Sequence, residues 1–340
     1  PWSWDVNVAF SRSRAEQTNT GSYNVRRINE ALGDPAACAA IAGCVPLNLF
    51  GGEGTITPEM LAFIQPVVRD ESENKLSLFT ANLTGDLVQM WAGPLSFAAG
   101  YEYRKYEGSY TPDPITVAGE YNGVPSGATS GDYDVNELYV EFNVPLMRDG
   151  WLGRSLDLSI AERYSDYSTF GGESTGKIGL RWQVADELLL RGSVAEGFRA
   201  PSIGELYGTL SRFDATLVDP CSGAGATLPA CVADGVPPDY TQTNSQISVV
   251  TSGNAELQPE TSNSLMLGAV WSPAFAAGAA WSDRLDIGVT FYRHTIENAI
   301  QAPDAQAILE RCVFQADPVA CAAYDRSDRG QIVRFDDILD

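Results

Sequence analysis

The chain holds 340 residues, with a net charge of −22, 10% aromatic and only 19% charged side chains, and 32 glycines. That balance excludes a nucleic-acid binder, which needs clustered Lys and Arg against phosphate, and it suits short strands and turns better than a helical bundle. No apolar run reaches the ~20 residues of a membrane helix; the nearest, 39–50 and 273–281, are short and broken by Pro, Gly or Asn.

Pro1-Trp2-Ser3-Trp4-Asp5 lacks the charged-then-apolar start of a signal peptide and already lies in a strand-like pattern. The chain therefore reads as a mature product or an excised piece. Strict alternation, the period of a strand with two unlike faces, predicts nine strands. Their apolar faces are, in order, Trp4/Val6/Val8/Phe10, Phe79/Ala81/Leu83/Leu87 and Leu95/Phe97/Ala99/Tyr101/Tyr103. Next come Leu138/Val140/Phe142/Val144, Leu156/Leu158/Ile160, Ile178/Leu180/Trp182 and Leu188/Leu190/Val194. The last two are Leu265/Leu267/Ala269/Trp271 and Leu285/Ile287/Val289/Phe291. The residues between are mostly polar or small.

Connections alternate between short links and long stretches, the long ones being 11–75, 108–132, 199–260 and 295 onward. All long loops then emerge at one end. A soluble β-sandwich has no reason for that asymmetry, whereas a transmembrane β-barrel has short turns on one side and long external loops on the other. Trp4, Phe10, Trp91, Tyr101, Tyr103, Tyr164, Trp182 and Trp271 stand near the ends of the apolar faces, as aromatic girdles would. Glu162 and Glu196 share the lipid-side parity, and we place them near the outer end, where a charge costs little compared with the midplane.

The loops contain ordered pieces. Thr57 through Ile64 reads as a short helix with Thr57 as N-cap and Pro58 in the first turn. Pro303 through Arg311 reads as another, ending at Cys312. Six cysteines fall as three close pairs, Cys38/Cys44, Cys221/Cys231 and Cys312/Cys321, each inside one loop. Zinc is the rival to disulfides, but its sites show tighter CxxC or Cys/His spacing, and the only histidine, His294, is beside no pair. Three disulfides imply an oxidising compartment such as a periplasm or cell surface, each stabilising its loop by ~2–3 kcal/mol on a chain-entropy view.

Enzyme chemistry and cofactors find no foothold. His294 has no Ser or Cys nucleophile elbow beside it. Asp132/Asp134 and Asp325/Asp328 lack EF-hand spacing for calcium. Gly51-Gly52-Glu53-Gly54 lacks the Lys-Ser/Thr ending of a phosphate loop. Asn82-Leu83-Thr84, a glycosylation triplet, lies inside a strand.

One stretch is more specific. Gly197-Phe198-Arg199-Ala200-Pro201-Ser202-Ile203-Gly204-Glu205-Leu206-Tyr207 closes the seventh strand, and Gly253, Asn254, Leu257, Pro259, Glu260 and Ser262 mark the segment that opens the next. The two in this order around one loop resemble TonB-dependent outer-membrane receptors, as does Arg163-Tyr164-Ser165-Asp166-Tyr167. The resemblance implies an all-β fold, an antiparallel transmembrane β-barrel of 22 strands with a plugged lumen. It implies import of a scarce nutrient, such as a ferric siderophore, cobalamin or oligosaccharide, across the outer membrane of a Gram-negative bacterium. Energy would come from TonB–ExbB–ExbD acting through the plug region. Residues 1–340 would then be about nine strands of the barrel domain, with plug and C-terminal strands lying outside the chain. A passive porin or adhesin-like barrel and a soluble secreted β-sandwich lectin are the alternatives.

The motif reads first as structural. Pro201 cannot donate to a ladder and marks where pairing ends, Gly197 relaxes the backbone beside it, and Arg199 has Glu205 and Glu260 as partners for tying the loop's feet together. For contact with a small nutrient ligand the candidates are Tyr23, Arg26, Arg27, Tyr110, Tyr121, Tyr133, Arg212, Phe213 and Tyr240, because aromatics and Arg dominate binding hot spots.

Overall fold

A computed structural model describes residues 2–123, 126–209, 211–276, 285–301 and 304–336. Pro1, the end of the apolar run 273–281, Pro303 and Asp337-Ile338-Leu339-Asp340 lie outside the described residues. In chain order the strands are β1 (Ser3–Asn19), β2 (Val68–Met90), β3 (Gly93–Thr111), β4 (Thr129–Gly150), β5 (Gly153–Tyr167), β6 (Gly171–Ala185) and β7 (Leu188–Arg199). There follow β8 (Ser211–Thr216), β9 (Gln246–Thr251), β10 (Glu260–Trp271), β11 (Ile287–Glu297), β12 (Tyr324–Arg326) and β13 (Ile332–Asp336). The helices are α1 (Val25–Leu32), α2 (Pro35–Ala39), α3 (Pro58–Ile64), α4 (Pro114–Val117), α5 (Ile203–Tyr207), α6 (Pro229–Ala233), α7 (Ala305–Gln315) and α8 (Pro318–Cys321).

Nine strands form one antiparallel sheet in the order β1-β2-β3-β4-β5-β6-β7-β10-β11. The alternation explains the register. Phe97, Phe142, Ile160, Ile178, Val194 and Leu265 are successive cross-strand partners, so one apolar row runs across six strands. A one-residue slip would send a whole strand's apolar set to the other face. No second layer covers this face among the described residues: Val8, Leu138, Ile178, Val194, Leu267 and Phe291 all stand exposed. A soluble sheet buries its apolar face against another layer, whereas a barrel wall presents it to lipid. One nine-stranded layer replaces the two packed sheets that a sandwich would need.

The other face is polar and wired across strands. Asn82 donates to Asp5 at 2.9 Å, and Tyr139 donates to Asn82 at 2.8 Å by reaching across β3. It passes over Gly100, where a Cβ would sit 2.5 Å from the Tyr139 ring. Short turns at 91–92, 151–152 and 186–187 occupy one end, while 20–67, 112–128 and 200–259 leave from the other. Trp91 and Trp182 anchor the turn end, donating their indole N–H to the carbonyls of Leu146 and Leu152. Trp2 and Trp151 stand exposed at the same end. Amphipathic indoles suit a membrane–water boundary. Glu162 and Glu196 lie two residues beyond the apolar row on the loop side, flanking Gly176.

Two expectations need correction. The stretches 11–75 and 108–132 are not wholly loop, because β1 runs to Asn19, β2 starts at Val68, β3 runs to Thr111 and β4 starts at Thr129. Their outer parts are held by cross-strand ion pairs, Arg12 with Glu73 and Arg14 with Glu71, in place of apolar alternation. The second correction is a four-stranded sheet within the loops, ordered β12-β13-β9-β8. Its core gathers Leu217, Ile247, Val249, Ile308, Leu309 and Phe335 from both the 200–259 loop and the segment after β11. A parallel pair, Phe335 with Val249, joins the two. Helix α7 also runs past Cys312 to Gln315, starting from the N-cap Asp304. All three disulfides are formed as Cys38–Cys44, Cys221–Cys231 and Cys312–Cys321.

Candidate functional site

The loop end of the wall is organised by the stretch at the end of β7. Pairing stops at Arg199, Ala200 follows half-buried, and Pro201 is fully buried. Ser202 then caps α5: its hydroxyl accepts from the Glu205 N–H at 3.2 Å while Glu205 accepts the Ser202 N–H at 2.7 Å. This reciprocal capping box satisfies two donors that a helix start leaves open. It also points the Glu205 carboxylate back at Arg199. Arg199 reaches both Glu205 oxygens at 2.9 and 3.0 Å and Glu260 at 2.9 Å. Glu260 also accepts the Ile300 N–H at 2.8 Å. One guanidinium and two carboxylates thus join the end of β7, α5, the start of β10 and the chain beyond β11. Burial pushes the Glu205 carboxyl up, but its bonds to Arg199 and Ser202 outweigh this and hold it below the usual carboxylate range.

The returning segment locks onto the same helix. Asn254 donates its N–H to the Glu205 carbonyl at 2.8 Å, and Gly253 donates to Gly208 at 2.7 Å. A Cβ on Gly253 would lie 2.5 Å from the Gly208 nitrogen, so a side chain there has no room. Leu206, Leu257 and Pro259 are buried at this junction. Gly197 has an ordinary negative φ, and its role is space: a Cβ there would sit 2.9 Å from the Ser262 hydroxyl. Phe198 meets Tyr167 and Phe170 edge-on at 5.8 and 6.4 Å.

Helix α5 lies on the polar face of the wall. Tyr207 covers Gly131, where a Cβ would fall 2.1 Å from its ring, and Ile203 covers Gly108. Beside it is a cluster that sequence reasoning missed. Glu137, 3% exposed, accepts from Arg104 at 2.9 Å, Arg163 at 2.8 Å and the Ser165 hydroxyl at 2.7 Å. Arg163 lies over the Tyr139 ring at 5.2 Å. Tyr106, Tyr133, Tyr167 and Phe170 continue as a ladder of rings 4.7–5.9 Å apart. The available signal was parity: Arg104, Glu137 and Arg163 all fall on the polar face, on adjacent strands. Such a surface offers flat rings and fixed charges to a ligand at the loop end.

The ligand-contact candidates divide. Tyr133 belongs to the ring ladder, and Tyr110 stands on the polar parity of β3, its hydroxyl 3.5 Å from Ser126. Phe213 and Tyr23 are exposed. Arg26 bridges Glu120 and Glu30 at 2.8 and 2.6 Å, and Tyr121 accepts from the Ser22 hydroxyl, so both tie the 20–67 loop to the 112–128 loop. Arg27 donates to the Phe63 carbonyl at 3.0 Å and stacks on that ring. Arg212 pairs with Asp214 along β8. Tyr240 is a correction: it is 4% exposed, packed with Cys221 and Cys231, and donates to Asp219 at 2.9 Å. Its hydroxyl found a buried carboxylate, which removed it from the surface. Among the described residues no group of three His, Cys, Asp or Glu side chains forms a metal site.

Burial, together with the bond to Asp219, pushes Tyr240 up to about 12. The fold holds the phenolic proton more tightly than an unfolded chain does, where tyrosine titrates near 10. That stability is present below pH ~10 and lost as pH rises through the folded value. Alkaline titration by tyrosine absorbance is expected to show one fewer late-titrating phenol in Tyr240→Phe than in the wild type.

A family model described as TonB dependent receptor-like, beta-barrel matches residues 1–320. Among solved structures, the chain is similar to the ferric enterobactin receptor PfeA of Pseudomonas aeruginosa at 16% identity and TM-score 0.46, over 82% of this chain and 37% of that one. It is similar to the siderophore receptor PirA of the same organism at 17% identity and TM-score 0.45, over 80% and 40%. For the hemophore receptor HasR of Serratia marcescens the figures are 14% and 0.44, over 70% and 36%. The chain therefore spans well under half the length of these receptors. Among curated proteins none matches it.

Proposed function

The chain belongs to the family of TonB-dependent receptor β-barrels, and from that premise we propose that it is part of the barrel wall of an outer-membrane importer of a scarce small nutrient. It is a transporter and not an enzyme. The long loops lie outside the cell and the short turns face the periplasm. Energy reaches the barrel from TonB–ExbB–ExbD through a plug region outside these residues. The cargo belongs to the classes that such receptors carry: a ferric siderophore, cobalamin or an oligosaccharide.

The observation that best supports this reading is the two-faced wall. Its apolar face has no second layer over it among the described residues, and its polar face carries the ring ladder and the Arg104–Glu137–Arg163 cluster at the loop end. Aromatic rings and charge-assisted bonds are the means by which a polar, partly planar cargo is held. The motif residues Gly197–Pro201, Glu205, Leu206, Gly253, Asn254, Leu257, Pro259, Glu260 and Ser262 anchor the loop over that surface.

The test uses the whole receptor expressed in a host lacking its own importers. Accumulation of labelled ferric siderophores, cobalamin and maltooligosaccharides is measured with and without a functional TonB. Accumulation of one class that collapses without TonB is expected. Uptake indifferent to TonB would favour a passive pore and sink the active-transport reading.

A further inference from the structure

On the same polar face, toward the turn end, lies a separate hollow of about 430 Å³. The ladder explains its shape. Its floor is a row of small side chains in register, Ser159, Gly179 and Ser193. One row toward the turns stand Asp157, Arg181 and Arg191, again in register, and one row toward the loops stands Lys177. Rows on one face repeat every two residues, so the cations above and below the floor are rooted about 13 Å apart. Small residues flanked by long cationic ones make a concave cradle. Arg148 closes one side, and Gly268 leaves space for the Arg191 side chain, which lies across it and donates to the Thr290 hydroxyl at 3.2 Å.

The charge balance is unusual for this chain. Four cations line the hollow, and Asp157 is its one carboxylate, in a protein of net charge −22. Asp157 pairs with Arg148 at 2.6 Å and reaches Arg181 only at 4.0 Å. Lys177 and Arg191 have no carboxylate within ion-pair distance among the described residues. Arg181 and Arg191 are direct cross-strand partners. Like charges directly opposite one another in a ladder are destabilising, and the sheet holds this pair with nothing of opposite sign between them.

We propose that this hollow is a binding site for a small, multiply charged oxyanion, separate from the aromatic surface at the loop end. Its volume falls within the range of small-molecule sites, and guanidinium forks match carboxylate and phosphate oxygens. Serine hydroxyls on the floor add donors. The inference rests on the reading of the chain as an importer's wall and narrows it: cargo passing this point carries several negative charges.

Thermal unfolding of the whole receptor, purified from outer membranes, tests the site with inorganic pyrophosphate against chloride at equal ionic strength. Pyrophosphate is expected to raise the melting temperature of the wild type by mass action on the folded state. Its affinity is expected to be at least about tenfold weaker in Arg181→Gln and in Arg191→Gln, which removes about 1.4 kcal/mol. Without anion, either variant is expected to melt no lower than wild type, because the like-charge pair is relieved. Absence of a pyrophosphate shift in the wild type, or an equal shift in both variants, would overturn the proposal. So would a structure of the whole receptor in which acidic side chains of another region fill the hollow. A receptor that imports cargo yet shows no shift loses this site alone; one that shows the shift but imports nothing loses the uptake reading alone.

Discussion

Asp219→Ala is expected to unfold the four-stranded loop sheet while the nine-stranded wall keeps its pairing. Asp219 is fully buried and accepts four hydrogen bonds: from the Cys221 N–H, the Tyr240 hydroxyl, and two Arg326 nitrogens. Burial pushes its carboxyl up, but Arg326 and the Cys221 N–H outweigh this, so the carboxyl is held below its ordinary range. Arg326 also reaches Asp234 at 2.8 Å and the Gly330 carbonyl at 2.7 Å. These groups come from segments that meet only in the folded loops: Asp219 and Arg326 are 107 residues apart. Removing one partner leaves a guanidinium buried with half its bonds missing, a loss of about 3–5 kcal/mol in comparable buried pairs. That is a large share of what a unit this small can hold in reserve. Hydrogen exchange should show loss of protection confined to β8, β9, β12 and β13. The paired change Asp219→Leu with Arg326→Met is expected to recover part of the loss, because well-packed apolar groups often replace a buried ion pair without penalty. Lost protection in the nine-stranded wall as well would contradict the separation of the two sheets.

That separation was only partly legible in the sequence. Strands β4 to β7 announced themselves because one face meets lipid and the other the lumen, so the apolar period is strict. Above the apolar row both faces are wet. There Arg12, Arg14, Glu71 and Glu73 hold β1 to β2 by charge, and no hydrophobic period marks the strand. The loop sheet is harder still. Its strands are short, and Val249 finds Phe335 in a different loop, a pairing that no local pattern encodes. Ile247 and Val249 alternate with Gln246 and Ser248, a visible but isolated signal inside a long connection. At the site, charge made Arg199, Glu205 and Glu260 legible as partners. The Ile300 N–H was not, because a backbone donor leaves no trace in residue type. The same limit hid the fate of Tyr240, whose partner Asp219 is named only by the fold.

Glu260→Gln is expected to loosen both long loops at once, since Glu260 sits where their roots converge. Its carboxylate accepts from Arg199 at the end of β7 and from Ile300 beyond β11, while Arg199 holds Glu205 at the start of α5. The amide cannot accept with both oxygens, so one arm of the Arg199 fork loses its partner. Helix α5 keeps its capping box but loses the tie that presses it toward the wall over Gly108 and Gly131, next to the ring ladder. Amide exchange in α5 and in residues 298–301 is therefore expected to rise by about tenfold, as local opening draws on the weakest units first. Arg199→Ala should produce the same pattern and also free Glu205, and the double variant should lose less than the sum of the two single ones, because both remove the Arg199–Glu260 pair. Strict additivity would show that Arg199 and Glu260 act apart. Cargo affinity offers the functional readout: if α5 and its loop help form the binding surface, Glu260→Gln weakens binding to the whole receptor while the melting of the wall stays unchanged. Unchanged affinity alongside faster exchange would confine the clasp to loop stability and place cargo contact elsewhere on the wall.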